Sequence, residues 1–183
     1  MNKLAWEGEE LVELYSASSI QERVAALGAT LTATYGTDPV VCIGVLKGAA
    51  IFCSDLIRCM QIPKLEVDFV RLSSYGTNSS SSGNVKIAAS SLATTSKKHV
   101  LIVEDIVDTG KSMQTFMQQF VAKDALSVRL AVLIDKRERR SCEVKIDYSC
   151  FVCDSGFCVG YGLDYAERYR HLPAIYELKF LNN

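Results

Sequence analysis

Neither sign of charge dominates this chain: 20 Lys and Arg stand against 21 Asp and Glu, for a formal net charge of −1. Without a net field there is no long-range pull toward nucleic acid or an anionic membrane. Any bound anion must be captured by a local arrangement of donors. No apolar stretch approaches the roughly twenty residues needed to span a bilayer. Trp6, Glu7, Glu9 and Glu10 break up the first residues, and position 2 is Asn. These features predict neither a secretory leader nor a lipid anchor, and a cytoplasmic protein is the expectation. No internal repeat and no interdomain linker is visible, so residues 1–183 read as a single domain.

Hydrophobic residues make up 49% and charged residues 22%, the balance of a globular protein with a substantial core. Cysteine, by contrast, is plentiful: Cys42, Cys53, Cys59, Cys142, Cys150, Cys153 and Cys158. An odd count without a leader argues against a disulfide scaffold. Cys150, Cys153 and Cys158 superficially resemble metal-ligand spacing. They lie in a segment that reads as strand, so buried thiols are the plainer expectation than a zinc site.

Residues Glu7 to Thr34 carry Leu11, Leu14, Tyr15, Val24, Leu27 and Leu31 at helical spacing. Ser16, Ser18 and Ser19 divide the pattern into two predicted helices, with a serine capping the second. Val40 to Leu46 is a continuous apolar run, as expected of a strand covered on both faces. A helix is predicted over Ala49 to Met60 and a strand over Leu65 to Leu72. Ser73 to Gly83 holds six serines and two glycines, and reads as a long polar loop. Val85 to Ile87 suggests a short strand. Val100 to Val103 reads as a buried strand followed by a loop from Glu104 to Gly110. Ser112 to Val121 reads as helix. Strands are further predicted at Val128 to Ile134, Val144 to Val152 and Ala174 to Phe180.

Strands alternating with helices imply a mostly parallel α/β sheet, whose ligands bind beyond the carboxyl ends of the strands. The unusual residues sit at those ends: Lys47 and Gly48; Glu104, Asp105 and Asp108; and Lys136. The segment from Val100 to Ser112 is the most informative. Two adjacent carboxylates follow a buried strand, and Thr109, Gly110, Lys111 and Ser112 lead into a helix. Gly110 can adopt angles denied to other residues. Successive N–H groups at a helix start can surround a phosphate. A triphosphate P-loop would need glycine five positions before Gly110, where this chain has Asp105.

These residues resemble the phosphoribosyl-diphosphate signature of the purine phosphoribosyltransferases. Val45 to Gly48, Ser73 to Gly76, Leu133 to Lys136, Val159 to Tyr165 and Tyr169 to Pro173 extend the match in order. Together they resemble the hypoxanthine-guanine branch over almost the whole chain. The resemblance implies a type I phosphoribosyltransferase fold. That fold has a mostly parallel central sheet flanked by helices, a small hood region and a mobile lid loop.

The resemblance also implies roles. Glu104 and Asp105 hold the ribose hydroxyls directly or near Mg²⁺, and residues Asp108 to Ser112 (with Thr109, Gly110 and Lys111) hold the 5′-phosphate. Asp108 is the candidate catalytic acid/base beside purine N7. Lys47 and Gly48 line the pyrophosphate pocket, and the Leu46–Lys47 peptide can be cis. Lys136 meets the purine O6 carbonyl, Phe157 stacks on the base and Ile106 closes its other face. Cys158 offers backbone groups to the base edge. Asp164 sits near magnesium and the base, which makes Glu104, Asp105 and Asp164 the candidate metal residues. Arg170 binds pyrophosphate, and Ser74 and Tyr75 form the working end of the lid. From the residues alone, Lys47 also fits a solvated lysine, Phe157 a core aromatic, and Arg170 a surface ion pair with Glu167. The remaining charges between Asp135 and Arg140 read as solvated surface.

The implied reaction takes 5-phosphoribosyl 1-diphosphate and hypoxanthine or guanine to IMP or GMP and pyrophosphate. A homodimer or homotetramer is implied, with no nucleic-acid or membrane partner. Xanthine preference, a pyrimidine-type transferase doubling as an RNA-binding regulator, and a non-catalytic nucleotide-binding module are the competing readings. Lys123 to Leu126 and Lys136 to Cys142 lack prolines common in the family, which leaves loop geometry and base preference open.

Overall fold

A computed structural model describes residues 4–74, 85–87, 94–121 and 124–181. Its main sheet has six strands in the order β4-β3-β2-β5-β6-β7. These are β2 (Val40–Leu46), β3 (Leu65–Ser74), β4 (Val85–Ile87), β5 (His99–Val107), β6 (Ser127–Lys136) and β7 (Tyr148–Cys153). Five of them run parallel, and β4 adds to the β3 edge antiparallel. The helices are α1 (Ala17–Tyr35), α2 (Ala50–Cys59) and α3 (Lys111–Val121). A second, antiparallel sheet, β1-β9-β8, joins β1 (Glu9–Tyr15), β8 (Cys158–Val159) and β9 (Ile175–Phe180).

The alternation of side chains along the central strands explains why both faces must be covered. Val41, Ile43, Val100 and Ile102 point into a core closed by Met113, Phe116 and Phe120 of α3. Cys42, Leu101 and Val103 point the other way, against Ile20, Val24, Leu27 and Leu31 of α1 and Phe52 and Leu56 of α2. Such two-sided burial accounts for the continuous apolar runs of β2 and β5. A separate cluster of Leu11, Val159, Tyr169, Leu172, Tyr176 and Leu178 forms the core of the small sheet.

The predicted α/β architecture is present, with corrections at its edges. Residues Glu9–Tyr15 form a strand, not a helix. Leu11 pairs with Leu178 and Tyr15 with Ile175, and only Leu11 of the seven is buried. Leu11, Leu14 and Tyr15 match the helical period alone, but pairing with β9 makes the segment a strand. The helix begins at Ala17, where the Ser16 side chain accepts the Ser19 N–H at 3.2 Å, and ends at Gly36, whose N–H donates to Thr32.

Strand β5 continues through Glu104 and Asp105 to Val107, because Glu104, Ile106 and Val107 pair with Val132, Ile134 and Asp135 of β6. The acids therefore lie on the strand itself and the loop after it is short. Lys136 is likewise the last residue of β6. Strand β7 starts at Tyr148, not Val144; Val144 and Ile146 pack on the α3 side of the sheet as irregular chain. The sequence leaves Val159 to Leu163 open between buried strand and turn; β8 covers only Cys158 and Val159, paired with Glu177 and Tyr176. No helix among the described residues is long and apolar enough to cross a membrane.

The strand order fixes where a ligand fits. Chain connections leave β2 toward β3 on one side, and the sheet then resumes with β5 on the other side of β2. Strand order reverses between β2 and β5, and helices on opposite faces leave a crevice beyond the carboxyl ends of these two strands. Gly44 pairs with Val103. Lys47 and Gly48 therefore emerge beside the carboxylates of β5.

Candidate active site

A cavity of about 300 Å³ opens at this crevice. Val45, Leu46, Leu72, Val107 and Met113 give it apolar walls, while Glu104, Ile106, Asp108, Thr109, Gly110 and Ser112 bring in the predicted site. Its size is at the lower end for a small-molecule pocket. The turn is built so that backbone can face the ligand. Gly110 has φ 84°, and a Cβ there would stand 2.9 Å from Val144 Cγ1. Only glycine fits both the angle and the space. Helix α3 starts at Lys111, and Gly110, Ser112 and Met113 around that start line the cavity, which puts the helix N-terminus at its wall.

Glu104 and Asp105 are a tight pair of carboxyl groups. Burial, then the neighbouring Asp105, pushes Glu104 well above the usual carboxylate range. Burial also raises Asp105, against the opposing pull of its hydrogen bonds and of the Arg170 charge. Glu104 Oε2 is buried without a hydrogen-bond partner. Asp105 Oδ1 accepts the Ile106 N–H at 2.8 Å. Asp108 pairs through Oδ2 with Arg139 at 3.0 Å, whereas its Oδ1 is also buried and unpartnered. Orphaned acceptors of this kind cost free energy unless a ligand supplies donors or a cation.

A second group meets beside this cavity. The Leu46–Lys47 peptide is cis. A Cβ at Gly48 would fall 1.6 Å from Asp105 Oδ2, and one at Gly162 would fall 2.1 Å from the Gly48 carbonyl oxygen. The Gly48 backbone is thus packed against the Asp105 carboxylate on one side and the Gly162 backbone on the other, closer than side chains at either glycine allow. Arg170 donates to the Gly162 carbonyl at 2.8 Å and pairs with Asp164 Oδ1 at 2.7 Å, while its Nε is buried and unpartnered. Glu167 bridges the two predicted cations, at 3.0 Å from Lys47 and 3.3 Å from Arg170. Both the ion-pair reading of Arg170 and its place in the cluster are therefore realised.

The third group lies at the end of β6. Lys136 is buried and donates to the Gly156 carbonyl at 2.7 Å. Phe157 follows, 45% exposed and packed edge-on against Tyr165. Its exposed face excludes the plain core reading. Cys158 is buried 3.9 Å from Cys153, and burial together with that neighbour pushes its thiol up to about 12. All seven cysteines are free.

Some predicted residues do not converge. Lys47, Gly48, Asp105, Lys136, Phe157, Cys158, Asp164 and Arg170 stand outside the 300 Å³ cavity, in the two flanking groups, and Lys111 is exposed at the start of α3 without lining it. No cluster of three or more carboxylate, histidine or cysteine ligands that could hold a metal occurs among the described residues. Asp164 instead spends its oxygens on Arg170 and the Glu167 N–H. Ser74 ends β3 opposite Val85, and Tyr75 lies outside the described residues. Not legible in the sequence were the contact of Glu167 with Lys47, the close approach at Gly162, and Asp135 with Arg140 behind the phosphate turn. A lone charge inside a charge run carries no spacing signal that would single it out.

The profile of the phosphoribosyl transferase domain matches residues 12–166. The hypoxanthine-guanine phosphoribosyltransferase of Bacillus subtilis is 43% identical over 91% of this chain and 92% of its own. That of Streptococcus pneumoniae is 40% identical with the same coverage. A bifunctional TilS/HprT protein of Listeria innocua is 45% identical, but this chain spans only 26% of its length. Among solved structures, a hypoxanthine phosphoribosyltransferase from Staphylococcus aureus superposes with a TM-score of 0.88 at 37% identity, covering 98% of both chains. On the profile match and this likeness in sequence and fold, the chain belongs to the phosphoribosyl transferase family.

Proposed function

We propose that this protein transfers the 5-phosphoribosyl group of 5-phosphoribosyl 1-diphosphate to hypoxanthine or guanine, releasing pyrophosphate and forming IMP or GMP in purine salvage. One observation carries the reading. Glu104, with its orphaned oxygen, and a phosphate-type turn line a single cavity at the switch point of the sheet, with Asp105 next to Glu104 on the same strand. Relatives bearing the hypoxanthine-guanine transferase name match along nine-tenths of the chain, which supports the choice of base.

Each group has a task that its chemistry suits. The N–H groups from Thr109 to Ser112 take the 5′-phosphate at the start of α3. Glu104 and Asp105 accept the ribose 2′ and 3′ hydroxyls, which satisfies the orphaned Glu104 oxygen. Asp108 turns its free Oδ1 to the proton at purine N7. Ile106 and Phe157 sandwich the flat base. Lys136 donates to the O6 carbonyl, a contact that a 6-amino group cannot reciprocate. The Cys158 backbone meets the base edge. Lys47, the Gly48 backbone and Arg170 receive the pyrophosphate, so its arrival displaces Glu167 from both cations. Excluding water from the reacting carbon is the task that the family resemblance gives to Ser74 and Tyr75.

Hard carboxylate oxygens fit Mg²⁺, which is commonly held by one or two carboxylates together with substrate phosphates and water. Glu104 and Asp105 are the available donors, and Asp164 becomes a third if Arg170 turns to phosphate. When bound, the cation neutralises charge on the leaving pyrophosphate. Residues 1–183 act as one transferase domain in the cytoplasm, within a homodimer or homotetramer.

A panel assay tests the reading. The protein, Mg²⁺ and 5-phosphoribosyl 1-diphosphate are incubated with hypoxanthine, guanine, xanthine, adenine, uracil or orotate, and nucleotide is measured. Hypoxanthine and guanine are expected to be consumed and adenine to be rejected. Preference for adenine or a pyrimidine would overturn it.

A further inference from the structure

Within the charge run that follows β6, the three arginines behave differently. Arg137 and Arg139 keep 63% and 66% of their side-chain surface in solvent, whereas Arg140 keeps 22%. Arg140 turns inward beneath the phosphate turn. Its Nε donates to the Asp108 carbonyl at 2.9 Å, and its Nη2 to the Val107 carbonyl at 3.0 Å. The same Nη2 reaches Asp135 Oδ1 at 2.6 Å and the Lys136 carbonyl at 3.1 Å. Asp135 is buried, and its other oxygen accepts from Arg137 at 3.1 Å.

One guanidinium thus ties the end of β5 to the end of β6. The residues after it continue the support. The Ser141 N–H donates to the Thr109 carbonyl at 3.1 Å, the Cys142 thiol to the same oxygen at 3.5 Å, and a Cβ at Gly110 would lie 3.3 Å from Arg140 Cδ. Asp108 and Thr109 line the cavity on one side of the turn; Arg140 and its neighbours fill the other.

We infer that Arg140 is a positioning residue that sets the 5′-phosphate turn and the O6-reading Lys136 at one fixed separation, so that a single side chain couples sugar placement to base placement. The inference rests on the proposed transferase reading for its kinetic consequence and on the structure alone for the coupling. Arginine suits the task because its planar fork serves several acceptors at once, which a lysine ammonium on a flexible stem cannot do.

The test compares the wild type with Arg140→Met, which keeps the aliphatic stem, and Arg140→Lys, which keeps the charge facing Asp135. Amide hydrogen exchange is followed in peptides covering 107–112, 134–137 and 40–46. Steady-state rates are measured with each substrate varied in turn. In Arg140→Met, exchange is expected to accelerate in both strand-end segments and to stay unchanged in β2. The KM values for 5-phosphoribosyl 1-diphosphate and for the base are expected to rise together. kcat/KM should fall about 10- to 100-fold, the usual consequence of misplacing reacting groups by about 1 Å. Arg140→Lys is expected to recover part of the loss. If the methionine variant does not fold, the lysine variant supplies the same two readouts.

Unchanged exchange at either strand end, or a KM shift confined to one substrate, would overturn the inference. A wild type that makes no nucleotide would instead defeat the transferase reading, and the exchange comparison would still decide the coupling.

Discussion

Glu104 shows how a single residue can trade stability for binding. The unfolded chain titrates it near about pH 4.3, while burial keeps it protonated to higher pH in the folded protein. As pH rises through the unfolded value, only the unfolded state releases its proton. Stability therefore declines from about pH 4 upward until the raised folded value is passed, and is not regained above it. Glu104→Gln removes the titration. Its thermal midpoint is expected to exceed that of the wild type by a few degrees at pH 7 and to converge with it below about pH 4. Its kcat/KM is expected to fall at least tenfold. Thermal scans across pH, run beside the assay, check both halves, and a midpoint lower than the wild type's at pH 7 would contradict the account.

Asp108 makes a different prediction. With one oxygen paired to Arg139 and the other free, Asp108→Asn keeps the shape and loses the proton acceptor. A fall in kcat of about a hundredfold is expected from loss of acid–base assistance. Single-turnover kinetics on a sample with unchanged thermal midpoint would test it. An unaltered rate would assign Asp108 to phosphate binding alone.

At the scale of elements, what was legible depended on contiguity. The acid pair and the phosphate turn occupy adjacent positions on one strand and loop, so their chemistry could be read directly. Arg140 acts across thirty-odd residues through carbonyl oxygens, which no side-chain pattern reports. β1 was misread because a strand with only Leu11 buried and Val12 and Leu14 partly exposed has no clean period of two. Its partner β9, near the other end of the chain, is what makes it a strand. The helix that follows was readable because Ile20, Val24, Leu27 and Leu31 form one stripe and Ser16 caps it. Ser16→Ala is expected to cost about 1 kcal/mol in denaturant unfolding, with no change in turnover, since α1 packs behind the sheet and away from the crevice. A change in KM would show that α1 reaches the site.

For the molecule as a whole, the topology matters more than any one contact. The reversal between β2 and β5 brings a lysine–glycine pair and two carboxylates to the same crevice, and the small sheet presents Asp164, Glu167 and Arg170 against them. Local composition could locate these groups along the chain, but only the register of strands and the close approach of Gly162 to Gly48 bring them together. The account stands on that crevice being an acceptor for an activated, phosphorylated ribose. Calorimetric titration of the wild type with 5-phosphoribosyl 1-diphosphate, with and without Mg²⁺, tests it most directly. Saturable binding at one site per chain, strengthened by the cation, is the predicted result; a folded sample that releases no heat under either condition would contradict it.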